Sequence, residues 1–397
     1  MAGFKEANTS MGITIQPTPG LYNEPTQADL IAMYSPDNGS DAITADDATM
    51  TGATWAAPRQ FLGRRGRAGA TLALRGPGGS AVPGAGQWVP GRIMQGVGFT
   101  EVLNPAAITA AARAGGSASS IQMADAASAI DDFYMGYPIR HAGIGAGIVR
   151  GTSVIRDYIG STKTAILSET LGAPITAGDY TIPPFLAYVL STAASVPLLS
   201  AKVWRHKKAY RYKDCAINTF AINIPTNNDE TTDVPTIEFG MIGKPVPSID
   251  EMAPALPSSL LTPTPPAKAG KFVFNGIKIG HQSMRIEFGL EAGAPPNANF
   301  DEGQEPYELL SGTRTVNLDL NEQLQAQLDL DALADQQSVI PIMEGWGTAP
   351  GRAWLASVHN TYIDPFNPTA RNGFIGVQGA ANPIDADRAI ALTCLYG

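Results

Sequence analysis

The sequence predicts a mainly β protein, and three observations carry that prediction. Its 42 glycines and 31 prolines fall in nearly every connection, the punctuation of many short strands joined by turns. Several segments alternate apolar and polar residues with the period of two that presses one strand face onto a core. Helical spacing is confined to two brief stretches.

In chain order, the first strand with clear patterning begins at Ala68 and ends in a Gly/Pro turn. A short segment from Gln87 to Met94 follows, broken by Pro90 and Gly91 and closed by Gly96 and Gly98. Pro105 to Arg113 opens with proline, is alanine-rich and stops at Gly115 and Gly116, which predicts a short helix. Residues 113–128 are dominated by small side chains and mark a boundary.

Beyond it, Phe133–Ile139, Ile148–Tyr158 and Thr164–Leu167 read as strands of a separate small β module, with Gly160-Ser161 as a two-residue hairpin turn. The glycines of HAGIGAGIVRG, Gly143 to Gly147 among them, suit turns that need positive φ. A phosphate-binding loop is rejected there, because no GK[ST] follows and Ile148–Ile155 continues as a strand instead of opening a helix.

Phe185–Leu199 is the longest apolar run, but Ser191, Thr192, Ser195 and Pro197 interrupt it and it falls short of the roughly 18–20 residues of a membrane helix. Membrane insertion is not expected. The opening MAGFKEANTSMG lacks the basic and apolar regions of a secretory signal, so synthesis in a cytoplasm is expected.

Cys215–Ile224 and Pro235–Ile242 flank the polar stretch Asn227–Asp233 and predict a β-hairpin, followed by a proline-rich surface segment, Pro254–Pro266. Strands resume at Phe272–Ile279 and Ser283–Leu290 around Gly280-His281. In the second, Met284, Ile286, Phe288 and Leu290 alternate with Arg285 and Glu287. Gly312–Asn321 alternates more cleanly, Val316, Leu318 and Leu320 standing opposite Thr315, Asn317, Asp319 and Asn321. Asn321 could cap a helix carrying Leu324, Leu328 and Leu333. Ala389–Leu395 is the last predicted strand.

Length and charge narrow the function. At 397 residues the chain calls for two or three packed units. Charged residues are 16% of it, below the roughly 25% of an ordinary soluble domain, which suggests that neighbours cover much of its surface. A net charge of −9 opposes capture of nucleic acid through phosphates. Two local basic clusters, Gly63–Arg67 and Arg205–Lys208, read as solvated turns or subunit contacts.

No catalytic, metal or cofactor site is predicted. Cys215 and Cys394 lie outside any metal-ligand spacing, and His141, His206, His281 and His359 stand singly. Asp301, Glu302 and Glu305 are the candidate acids for a glycan hydrolase, yet their Gly/Pro/Asn-rich loop favours solvated carboxylates. Tyr134, Tyr137 and Tyr158 could serve a binding module, but core packing accounts for them better.

The order of these features resembles the tail tube proteins, or major tail proteins, of long-tailed bacteriophages. The likeness runs through the opening GITIQPTPGLYNEPTQAD, the G-F-x-E tail at Gly98, Phe99 and Glu101, the Cys215–Ile242 hairpin with its Pro-rich exit, and the C-terminal strand. It spans residues 1–119 and 185–397. Between them, 120–184 looks similar to small β modules of phage virion proteins, through Asp132, Tyr134, Gly136 and Ile139, the Gly143–Gly147 turn, then Ile155, Tyr158, Gly160, Thr162 and Lys163.

The resemblance implies a β-sandwich or barrel core with a flanking short helix, interrupted by an inserted small β domain. It implies hexameric rings, closed by their inner strands, that stack into a hollow tube in the virion tail after assembly in the host cytoplasm. Partners implied are further copies of the chain, a tape-measure protein, tail terminator and baseplate or distal tail proteins, and genomic DNA in transit without specific binding. The expected lumen wall is Thr315, Asn317, Asp319 and Asn321, with Arg285 and Glu287 on a second strand. The nearest alternatives are a tail terminator, a distal tail ring, or a surface-binding module through the insert.

Overall fold

The computed structural model describes residues 9–45, 60–192, 195–226, 233–257, 260, 263–267, 270–299, 304–323, 327–371, 374–384 and 387–397. The fold is mainly β. Its helical elements include Pro90–Gln95, Leu330–Asp335 and the 3-10 turn Gln27–Asp29.

One broad layer runs, by antiparallel pairing, through Ser35–Ala45, Gln60–Ala73, Thr236–Asp250, Lys208–Pro225, His281–Gly293, Glu308–Asn321, Phe374–Pro383 and Asn367–Arg371. A second runs through Lys271–Phe274, Ile340–Trp346, Ala353–Ile363, Ile390–Leu395, Phe185–Leu190 and Phe99–Asn104. Ala353–Ile363 also pairs with Phe374–Pro383, so the two layers are one hydrogen-bonded system folded over a shared core. Ile222, Phe239, Ile286 and Leu318 enter that core from the first layer, and Leu186, Trp354, Ala356 and Leu392 from the second.

The predicted hairpin forms in register, with Phe220 opposite Phe239 and Ile222 opposite Ile237. Its connection, residues 227–232, lies outside the described residues.

The short helix Pro90–Gln95 starts with proline at its first turn, where no intrahelical N–H is missed. It buries Ile93 and Met94 in the core. Gly91 is required by close approach: a Cβ there would fall 1.8 Å from the Tyr188 hydroxyl.

A separate seven-stranded sheet comprises Ile108–Ala111, Asp179–Ile182, Pro138–His141, Thr152–Ile159, Thr164–Leu167, Ser120–Gln122 and Arg113–Ser117 in spatial order. It packs on the outer face of the second layer. Phe185, Ala187 and Val189 point into this small-sheet core while Leu186, Tyr188 and Leu190 point into the main one. That two-sided burial explains why the longest apolar run starts as a strand with no polar alternation.

Several expectations are corrected here. The helix expected over Pro105–Arg113 is replaced by the edge strand Ile108–Ala111, with Ala110 opposite Tyr180. So short an alanine stretch is a marginal helix, and sheet pairing overrides it. The small-residue stretch from Arg113 to Gln122 is itself two strands. Phe133–Gly136 is turn, the strand starting only at Pro138, and the next strand starts at Thr152. Ile159 pairs with Thr164, so the connection is Gly160–Lys163 instead of a two-residue turn, with Lys163 at φ 57°.

Phe272–Ile279 is likewise not one strand. Asn275 and Gly276, at φ 49° and 79°, turn Lys271–Phe274 back on Ile277–Lys278. The Asn-Gly pair is the signature of a type I′ turn. The helix expected near Leu324 lies partly outside the described residues. What forms is Leu330–Asp335, capped by Asp329, whose carboxylate accepts from the Ala332 N–H, and Asn321 instead ends a strand.

Candidate functional site: a polar sheet face

The first layer has one face on the core and one facing away from it. The outward face can be followed strand to strand because its residues are in cross-strand register. Thr71, Glu238, Ala221, Glu287 and Thr315 form one row. Thr236, Asn223, Arg285, Asn317 and Ala380 form the next. Pro225, Ser283, Asp319, Gln378 and Asn367 form a third.

All six residues expected at the wall therefore share one face. Thr315, Asn317, Asp319 and Asn321 stand opposite buried Val316, Leu318 and Leu320. Arg285 lies directly across from Asn317, and Glu287 from Thr315. The sequence reading omitted Glu238, Asn223, Thr236 and Gln378. The alternation of Thr236, Glu238 and Gly240 with Ile237, Phe239 and Met241 was the available signal for Glu238.

Hydrogen bonds tie these rows together. Arg285 donates from Nη2 and Nη1 to the two carboxylate oxygens of Glu238, at 2.8 and 3.2 Å, and from Nε to Glu287 at 2.5 Å. Asn317 donates to the other oxygen of Glu287 at 2.9 Å, and Gln378 to Asp319 at 3.0 Å. The hydrogen bond to Glu238 raises the Arg285 pKa above its ordinary value, so the guanidinium stays charged. With Glu238, Glu287 and Asp319 against Arg285, the three rows carry net negative charge.

Towards the Ser35–Ala45 edge the face deepens into a groove of about 850 Å³. Small residues make its floor. Gly69 pairs with Gly240. A Cβ on Gly240 would lie 2.5 Å from Thr219 Oγ1, and one on Gly289 2.5 Å from Thr313 Oγ1, so the threonines fill the space the glycines leave. Arg67 sits at the rim, 3.6 Å from Asp41.

Several other titratable groups make structural contacts. Glu169 and Lys271, both nearly inaccessible, form an ion pair between the small sheet and the main body. Lys271 also donates to the Thr152 carbonyl at 3.1 Å. Burial pushes the Lys271 ammonium down to about 8 although Glu169 opposes the shift. His281 Nε2 lies 2.7 Å from buried Glu344, and the ring stacks on Phe272 at 4.0 Å.

Glu305 accepts from Asn297 Nδ2 at 2.7 Å, a bond within its loop, while Asp301 and Glu302 lie outside the described residues. Tyr134 and Tyr158 pack edge to face in the small-sheet core, with Tyr137 against Tyr134. Cys215 and Cys394 are buried thiols, their pKa values raised by burial. Among the described residues, no cluster of three His, Cys, Asp or Glu side chains could hold a metal ion. No described helix is long and apolar enough to cross a membrane. No protein-family model matches the chain, and no curated protein does.

Proposed function

We propose that this chain is a structural subunit of a phage tail, assembling as hexameric rings whose polar sheet faces close into the wall of a tube. The observation that carries this reading is the continuous, weakly acidic face of the first layer. It is broad, hydrogen-bonded across itself and, among the described residues, has no second layer on it.

The edges of that layer support closure. Among the described residues, Ser35–Ala45 pairs only with Gln60–Ala73, and Asn367–Arg371 only with Phe374–Pro383. Two open edges on one long sheet suit edge-to-edge pairing between copies, which removes exposed ladder groups and repeats around a ring. The small sheet sits behind the second layer, on the side away from the polar face. In a ring it would therefore decorate the exterior.

A wall of threonine, asparagine, glutamine and carboxylate repels DNA phosphates and offers them few cations to pair with. Arg285, the cation of these rows, is already engaged by Glu238 and Glu287. DNA and a tape-measure protein can then slide past without capture. The ring would also meet a terminator at one end and distal tail proteins at the other.

Sedimentation velocity with negative-stain electron microscopy over a concentration series tests this. Rings with a central pore, or stacked tubes, are expected. A monomer at every concentration would overturn the proposal.

A further inference from the structure

The two basic clusters of the sequence, distant along the chain, meet in the structure. Gly66 makes this possible: a Cβ there would lie 2.4 Å from the Tyr212 ring, so only glycine lets the Gln60–Ala73 strand cross that ring so closely. Arg64 is thereby brought beside Arg205, Lys208 and Arg211. Together with Tyr210 and Tyr212 these four line a groove of about 560 Å³ that, among the described residues, has no carboxylate in its lining.

Three of them, Arg205, Lys208 and Arg211, are incompletely used. Among the described residues, the buried Arg205 Nε has no hydrogen-bond partner. Lys208 lies over the Tyr210 ring, 5.6 Å from its centroid. Arg211 donates to the Pro247 carbonyl, and its nearest carboxylate, Glu24 at 3.7 Å, is already bound by Lys202. Asp250 stands opposite Lys208 in the ladder but outside the groove.

Beyond the far end of the same hairpin the sequence turns acidic. Lys208–Pro225 leads into a connection whose sequence carries Asp229, Glu230 and Asp233. Asp319, across Ser283 from Pro225, stands at that end too. We propose that the groove of Arg64, Arg205, Lys208 and Arg211 is a carboxylate-binding site for this acidic connection of a second copy of the chain. The strand has 18 residues, about 60 Å at roughly 3.3 Å each, so one copy's two ends cannot meet. A contact between unlike ends is head-to-tail and repeats without closing on a pair. The inference rests on the tube reading and names the contact that would stack one ring on the next.

The test has two arms. First, a labelled peptide of residues 226–235 is titrated onto the full chain. Binding should weaken at least tenfold with Arg64→Gln/Lys208→Gln in the protein, and equally with Asp229→Asn/Glu230→Gln in the peptide. Second, Arg64→Glu/Lys208→Glu should leave single rings but abolish stacking, and adding Asp229→Lys/Glu230→Lys to the same chain should restore it. Absent peptide binding, or binding indifferent to the groove variant, overturns the proposal. So does a short DNA duplex or inorganic phosphate displacing the peptide at equal or lower concentration, which would reassign the groove to phosphates. If the wild-type chain forms no rings, the tube reading falls, while the peptide arm still decides the groove.

Discussion

Arg285 holds Glu238 in a two-pronged ion pair across an intervening strand, its Nη2 2.8 Å and Nη1 3.2 Å from the two carboxylate oxygens. The strand between them is Lys208–Pro225, which offers small Ala221 and Asn223 at the crossing. The pair spans three strands and fixes the spacing of the polar rows.

Replacing Arg285 with methionine leaves Glu238 and Glu287 facing one another without a cation. Because the pair is partly exposed, solvent screening holds the expected loss to about 1 kcal/mol. Urea unfolding of Arg285→Met, Glu238→Gln and the double variant gives the coupling. The double variant should lose less than the sum of the singles.

The buried Glu169–Lys271 pair should behave differently. Glu169→Gln alone leaves the Lys271 ammonium buried without its carboxylate, and about 3–5 kcal/mol is the expected cost, whereas Lys271→Met should cost less because Lys278 lies 3.5 Å from the other Glu169 oxygen. Glu169→Leu with Lys271→Met together should recover most of that loss. Denaturant midpoints of the three variants check it.

Acid sensitivity should centre partly on Asp29. Burial alone would raise its pKa, but hydrogen bonds from Arg92 and Thr26 outweigh it and hold the carboxyl below 3.8. The folded value is thus the lower one, and the stabilisation is fully present above the unfolded value and lost as pH falls below it. Asp29→Asn should cost about 1–2 kcal/mol at pH 7 and flatten the stability profile below about pH 4.

Gly276 gives a local test of how the small sheet docks. Its carbonyl accepts from the Thr170 N–H at 2.8 Å, and a Cβ would lie 2.5 Å from Thr170 Oγ1. Gly276→Ala adds that clash to a backbone at φ 79°, and a loss of about 1–3 kcal/mol is expected. Hydrogen exchange should quicken at Glu169 and Thr170 before the distant Glu308–Asn321 strand responds.

The sequence carried these features unevenly. Alternation in Gly312–Asn321 and Ser283–Leu290 placed six polar residues on one face, because a one-residue slip would have buried the acids. Phe185–Leu190 could not be oriented, since cores lie on both its sides. The alanines of Ile108–Ala111 pointed to helix, and only the partner strand Asp179–Ile182 decides otherwise. Asn275-Gly276 carries a hairpin-turn signature, but the apolar run around it masks the turn. Glu238 and Gln378 reach Arg285 and Asp319 through pairings between segments far apart in the chain, which no local pattern announces.

The most direct test of the assembled wall is a cryo-electron microscopy reconstruction of the self-assembled chain. Six copies per ring, with Asn317 and Asp319 lining the pore and the 108–182 sheet outside, is the expected result. A ring that turns Asn317 and Asp319 outward, or an assembly without a pore, would contradict it.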